Sequence, residues 1–287
     1  MLTFSPSGLL EKKKINSDDY GLLDPTYVSR YLLLAGLLDS YRHHNGSTKK
    51  LKVLEVGGSG SMLDKFVDID LTIIDTLPNA DNLQNYIQGD ALAMPFENKS
   101  FDVVVSCDVL EHIPAASRDI FIKESARVTK DMLVIAAPFD LEGVREAEIS
   151  ANNFYKQMTG RDHRWLLEHL LDDLPDMRKT ISRLEKQDFE TGYFSNTALN
   201  NWQLVTRIGF FLSEYNEKQA ESSNFLQSIN KYYLDNIMKN GFSKKGYRTF
   251  IVASKSHQID IKEEKDVYSN DLATIFSLLT DAMRSLV

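Results

Sequence analysis

The run Leu51-Lys52-Val53-Leu54-Glu55-Val56 passes without a break into Gly57-Gly58-Ser59-Gly60. A segment this short and this apolar reads as a strand buried on both faces. A glycine-rich turn at its carboxyl end lets a ligand approach the backbone closely, and the next helix N-terminus adds unpaired amide donors. Any tight turn can use glycine, so the run gains meaning from the strands that succeed it along the chain. Leu71 to Ile74 reads as a second strand ending at Asp75, and Asn85 to Gln88 as a weaker third ending at Gly89-Asp90. Phe101-Asp102-Val103-Val104-Val105 is the strongest strand, and Met132 to Ala136 is a fifth, closed by Pro138. Between these two, a helix is expected to open at Pro114 and bury Ile120, Phe121 and Val128. Apolar strands alternating with helices predict a parallel sheet covered on both faces.

Outward from this core, Pro25 sits in the first turn of a predicted helix of about four turns that carries Tyr27, Tyr31, Leu34, Leu38 and Tyr41. His43 to Lys50 is a polar linker in which His43 and His44 are expected to be solvated. After Asp140 the rhythm changes to charged helical segments over 141–186, with turns near Gly160 and Pro175. A strand at Phe189 to Phe194, a mostly helical stretch and a last strand at Tyr247 to Ala253 come next. Leu272, Ile275, Phe276, Leu279, Met283 and Leu286 fall on one face of a final helix. The predicted organisation is a helical cap at 1–49, a sheet domain at 50–255 with helical insertions at about 141–186 and 195–245, and a linker with an amphipathic helix at 256–287.

The 287 residues include 33 Lys+Arg against 41 Asp+Glu, a net charge of -8. That balance disfavours nucleic acid or an anionic membrane as the main partner. The longest apolar run, Tyr31 to Leu38, is far short of the roughly 20 residues that span a bilayer. Lys12, Lys13 and Lys14 come after the first apolar residues rather than before them, unlike a secretory signal. One cysteine, Cys107, excludes an intramolecular disulfide and a cysteine-built zinc site, and no other metal-ligating spacing stands out. A cytoplasmic protein is expected, acting on neither nucleic acid nor membrane, with its oligomeric state unspecified.

The chemistry-bearing residues cluster at strand ends. Asp75 lies at the end of the second strand, where an acid can accept from both hydroxyls of a ribose. Gly89-Asp90-Ala91-Leu92-Ala93-Met94-Pro95-Phe96 forms a loop after the third strand, and the Phe101 strand runs into Ser106-Cys107-Asp108-Val109-Leu110-Glu111-His112. In this order the motifs resemble the class I S-adenosylmethionine-dependent methyltransferases, specifically the small-molecule group. The resemblance covers about residues 50–140, with 247–253 as a last strand. Glu55 and Gly57 match the family pattern, whereas Ser59 and Ser61 stand where its second and third glycines sit.

The resemblance implies a Rossmann-like α/β fold, with a seven-stranded, mostly parallel sheet whose last strand is antiparallel. It implies methyl transfer from S-adenosylmethionine to an oxygen or nitrogen of a small-molecule acceptor. Glu55, Gly57, Gly58 and Ser59 would line the methionine side of the cofactor, and Asp75 would hold the ribose, with Thr76 and Leu77 beside the adenine. Asp90 and Ala91 would read the adenine edge, while Cys107 and Asp108 would approach the methionine end, Cys107 as a packing residue. Two rival readings are an NAD-dependent oxidoreductase, against which the missing G-x-G-x-x-G spacing counts, and a non-catalytic S-adenosylmethionine-binding protein. Ser106-Cys107-Asp108-Val109 also differs from the Asn-Pro-Pro-aromatic loop of amino-directed base methyltransferases.

For a general base, His112 is expected at the carboxyl edge of the sheet and His163 in a lid built from 141–186 and the N-terminal helix. Gly160-Arg161-Asp162-His163-Arg164-Trp165 reads either as a site for an anionic or sugar-like acceptor or as a solvated helix start with Trp165 turned inward.

Overall fold

The computed structural model describes residues 1–11, 25–216, 228, 230–238, 242 and 246–263. Seven strands form one sheet: β2 (Lys52–Val56), β3 (Asp70–Asp75), β4 (Tyr86–Gln88), β5 (Phe101–Cys107), β6 (Thr129–Pro138), β7 (Glu190–Ala198) and β8 (Gly246–Ser254). Their spatial order is β4-β3-β2-β5-β6-β8-β7. Strands β2 to β6 pair in parallel, and β8 runs antiparallel to both β6 and β7. The chain builds β2, β3 and β4 toward one edge and then crosses to the other side of β2 with β5. That reversal opens a crevice at the carboxyl ends of β2 and β5.

Alternate side chains of the strands feed two cores, as a doubly covered sheet requires. Val53, Val103, Val105, Met132 and Val134 enter one face, and Leu54, Val104, Leu133 and Ile135 enter the other, all at most 1% exposed. The first face is covered by α1 (Pro6–Glu11), α2 (Pro25–His44) and the single turn α3 (Leu63–Phe66). The second is covered by α4 (Arg118–Val128), where Phe121, Ile122 and Val128 are buried.

Helices α5 (Val144–Thr159), α6 (Arg164–Leu171) and α7 (Met177–Glu185) come after β6, and α8 (Leu199–Asn216) after β7. Val144, Ala147 and Ala151 of α5, Leu166 of α6, Trp202 of α8 and Tyr247 of β8 form a third apolar cluster. The Trp202 and Tyr247 rings are stacked at 3.8 Å. Helix α7 instead packs on the second face of the sheet with α4, where Arg183 pairs with Asp119 at 2.8 Å. Only part of the 141–186 insertion therefore stands over the crevice.

Several sequence expectations are corrected. Ile120 is 48% exposed, because α4 turns the face carrying Phe121, Ile122 and Val128 to the core and Ile120 lies off that face; the helix also starts at Arg118 rather than at Pro114. Helix α2 continues through His44, so the linker is shorter than expected, although His43 and His44 are exposed as anticipated. The segment 1–49 is not purely helical: β1 (Leu2–Phe4) pairs in parallel with β9 (Ile259–Ile261), placing a strand inside the expected linker as well. The stripe from Leu272 to Leu286 lies outside the described residues. Among the described residues, no helix is long and apolar enough to cross a membrane.

Candidate active site

The crevice holds a cleft of about 750 Å³, within the range of small-molecule sites. At its floor, Gly57 has φ +77°, and a Cβ there would meet the Val109 side chain at 2.1 Å. Only glycine fits that turn. Gly58 faces the other way, where a Cβ would lie 2.9 Å from Glu55 and Ile73. Glu55 is buried beneath the turn, accepting from Tyr31 Oη at 2.9 Å and from Ser61 Oγ. Burial pushes its carboxyl up, and these two hydroxyls partly oppose the shift. Gly57 and Ser59 line the cleft, whereas Glu55 and Gly58 do not. Ser61, which departs from the family's glycine pattern, is the residue that ties the turn to Glu55.

The side of the cleft formed by β3 and β4 is built from main chain ordered by acids. Asp75 accepts from Ser59 N at 3.0 Å and from Leu77 N at 2.9 Å, joining the glycine turn to the loop after β3. Gln88 Nε2 donates to Thr76 O at 3.0 Å, and Tyr86 Oη to Leu77 O at 2.8 Å. Asp90 caps its own loop by accepting from Leu92 N at 2.8 Å. Helix α4 fixes the rest of that loop: Arg127 donates to Met94 O and Phe96 O, while Glu124 accepts from Met94 N. Asp75, Thr76, Leu77, Asp90 and Ala91 all line the cleft.

Asp108, just beyond β5, has φ +56°, an uncommon conformation for a side-chain-bearing residue. It accepts from Arg248 Nε and Nη2, both at 2.6 Å, and from Arg30 Nη1. Burial alone would raise its carboxyl, but the two guanidiniums hold it down at about 2. Two cations share one anion here, and Arg30 Nε and Arg248 Nη1 are buried donors without a partner among the described residues. The Arg30 guanidinium also lies 4.2 Å from the Tyr27 ring centroid, and Tyr27 Oη donates to Gly60 O. Cys107 is buried at the same place, and burial pushes its thiol up, away from the reactive thiolate.

A cluster of ionisable groups also meets at the cleft. Glu111 and His169 are 3% and 5% exposed, and Glu148 is fully buried. Glu148 Oε1 lies 2.8 Å from both Tyr247 Oη and His169 Nδ1. His112 Nδ1 lies 3.2 Å from Glu168 Oε2, and its ring centroid is 4.8 Å from that of His169. Burial and the neighbouring His169 lower the His112 pKa, with Glu168 opposing. His163 lines the cleft 4.5 Å from the Phe210 ring, with its Nδ1 buried and without a partner among the described residues. Burial lowers its pKa too. Trp165 is not turned inward: it is 43% exposed at the cleft wall, 5.1 Å from the His112 ring.

Folding thus brings Asp75, Asp90, Asp108, His112 and His163 around one cleft, and adds Arg30, Arg248, Glu111 and His169, with Glu148 behind His169. Arg248 was detectable as a charge inside the apolar strand Tyr247 to Ala253. The Glu148–His169 pair gave no such signal, since its members lie on different helices.

Residues 57–134 match the family model described as a methyltransferase domain. No curated protein sequence matches the chain. Among solved structures, a putative methyltransferase from Bacillus halodurans C-125 is 18% identical, over 77% of this chain and 99% of that one, with a TM-score of 0.41. A putative sarcosine dimethylglycine methyltransferase from Galdieria sulphuraria is 20% identical over 78% and 85%, with a TM-score of 0.44. The magnesium protoporphyrin IX methyltransferase from Synechocystis PCC 6803 with bound S-adenosylhomocysteine is 12% identical over 87% and 92%, with a TM-score of 0.45. The sheet order and the glycine turn with its acid-ordered loops agree with the match of residues 57–134 to a methyltransferase domain.

Proposed function

We propose that the chain transfers a methyl group from S-adenosylmethionine to an oxygen or nitrogen of a small-molecule acceptor. The observation that carries this reading is the single cleft. One side is made of acid-ordered loops, its floor carries surplus positive charge, and its far wall is a cluster of imidazoles and carboxylates.

The chain's groups fit the cofactor along its length. Gly57 lets Val109 pack against the turn, which sets the floor of the cleft. Asp75 and Asp90 retain lone pairs for ribose hydroxyls and an adenine amino group, since an ionised carboxylate has about four acceptor sites. Arg30 and Arg248, with unused donors beside Asp108, suit the methionine carboxylate. When bound, S-adenosylmethionine supplies a methyl group on a positively charged sulfur, which a nucleophile can displace in line. The protein's task is then to orient the acceptor, exclude water and take up a proton. Trp165 and Leu166 of α6 would close the cleft above the acceptor, and the His112 and His163 side faces the reacting end. A cytoplasmic setting agrees with a lone, buried cysteine.

The test is turnover. Methyl-labelled S-adenosylmethionine, screened against pools of hydroxyl- and amine-bearing metabolites, should give labelled product and S-adenosylhomocysteine with at least one pool. Tight S-adenosylhomocysteine binding with no labelled product from any pool would favour a non-catalytic binding role.

A further inference from the structure

Glu111, His112 and His169 each offer one ligand atom, and the three atoms lie within 4.8 Å of one another. The cluster joins the 3-10 turn after β5, Leu110–His112, to α6, and all three residues line the cleft. Two features set it apart from a chance meeting of polar groups. Glu111 Oε2 and His169 Nε2 are buried without a hydrogen-bond partner among the described residues, a costly state unless something occupies the space between them. In addition, each imidazole is held from behind by a carboxylate, His169 by Glu148 and His112 by Glu168. A carboxylate only accepts, so each Nδ1 carries the proton, and in the neutral imidazole each Nε2 then keeps its lone pair. Carboxylate-backed imidazoles of one tautomer are how proteins orient histidine ligands toward a metal.

We propose that Glu111, His112 and His169 bind one divalent transition-metal ion at the acceptor end of the cleft, leaving an open position for a hydroxyl-bearing acceptor. Bonds of ~2.1 Å separate ligand atoms by ~3–3.5 Å, which small side-chain rotations reach from the present spacing. Two neutral imidazoles and one carboxylate suit zinc or ferrous iron better than magnesium or calcium, which prefer oxygen. Arg30 and Arg248 bond to Asp108, and the Arg164 head is 3.4 Å from Glu168; Glu111 forms no ion pair among the described residues, although Arg248 and Arg118 act on it from a distance. Three protein ligands beside an open cleft leave room for an acceptor oxygen, whose proton a cation makes easier to remove. His112 then acts as a ligand rather than as a free base. The statement about the acceptor rests on the methyl-transfer reading; the binding site does not.

The experiment treats the full chain with chelator, removes it, and titrates zinc by calorimetry and cobalt by visible absorption. In parallel, S-adenosylhomocysteine is titrated into the same samples. One zinc per chain and the intense visible bands of low-coordinate cobalt are expected. Glu111→Gln and His169→Ala should each weaken zinc binding at least 100-fold, and Glu148→Gln, which only positions His169, 10- to 100-fold with cobalt bands shifted. S-adenosylhomocysteine affinity should change little in variants that remain folded. His112→Ala, at the most accessible ligand, serves if a buried variant fails to fold. Zinc that binds weakly, with no stoichiometry, or equally well to wild type and His112→Ala would overturn the metal site while leaving the cofactor reading intact. Stoichiometric zinc with no S-adenosylhomocysteine binding would uphold the metal site and overturn the cofactor reading.

Discussion

Asp75 combines a structural task with a place in the cleft lining. Two of its lone pairs order the turns after β2 and β3, and the others remain turned to the cleft. Asp75→Ala should weaken S-adenosylhomocysteine binding by about 1.5–3 kcal/mol, tenfold or more, in a titration of the folded variant. Unchanged affinity would remove Asp75 from the ribose site. Asp108 carries a different burden, because Arg30 and Arg248 are both committed to it. Asp108→Asn leaves two guanidiniums facing a neutral partner and should cost about 3 kcal/mol, read as a lower urea midpoint with an unchanged slope. The two acids differ in how far the sequence revealed them. Asp75 is legible because it comes directly after an apolar strand. The grip on Asp108 is not, because Arg30 lies 78 positions before it and Arg248 140 after it, so only the folded sheet brings the three together. Ser61 misled for a related reason: it breaks a glycine pattern, yet its hydroxyl meets Glu55 under the turn.

Among elements, Asp131 at the start of β6 works as a clasp. It accepts from Tyr41 of α2 at 2.7 Å, from Ser254 of β8 at 2.8 Å, and from Lys255 N and Ser256 N at 2.9 Å. Burial alone would raise its carboxyl, but the bonds from Ser256, Tyr41 and Ser254 outweigh that and hold it below the usual range. A carboxyl depressed in the folded state stabilises above its unfolded pKa, near 3.9, and loses that contribution as pH falls through the folded value. Asp131→Ala should therefore cost about 2 kcal/mol at pH 7 and progressively less below pH 4. A deficit that grew on acidification would contradict the clasp. The insertion makes a second prediction. Helix α6 walls the cleft with Trp165 and Leu166, whereas α7 is fastened to α4. Saturating S-adenosylhomocysteine should slow hydrogen exchange in α6 and leave α7 unchanged; the reverse pattern would refute α6 as the closing element. The sequence marked this region only as charged and helical, because amphipathic periodicity gives a buried face without saying what covers it. The three-residue strands β1 and β9 were invisible for another reason, since so short a strand has no periodicity to read.

At the scale of the whole molecule, position explains the site. The sheet reverses between β2 and β5, and the loops leaving β2, β3, β4 and β5 converge there on one cleft. The alternation of strands and helices made this half of the molecule readable from sequence. The wall from α6 and α8 was not, since insertions obey no shared spacing. The central claim is that the cleft is a nucleoside-sulfonium site rather than a dinucleotide site. Calorimetric titration of the intact chain with S-adenosylhomocysteine and, separately, with NADH tests it most directly. One-to-one binding of S-adenosylhomocysteine, weakened at least tenfold by Asp75→Ala, with no measurable NADH binding, is the predicted result. NADH binding as tight as S-adenosylhomocysteine, or no binding of S-adenosylhomocysteine at all, would contradict it.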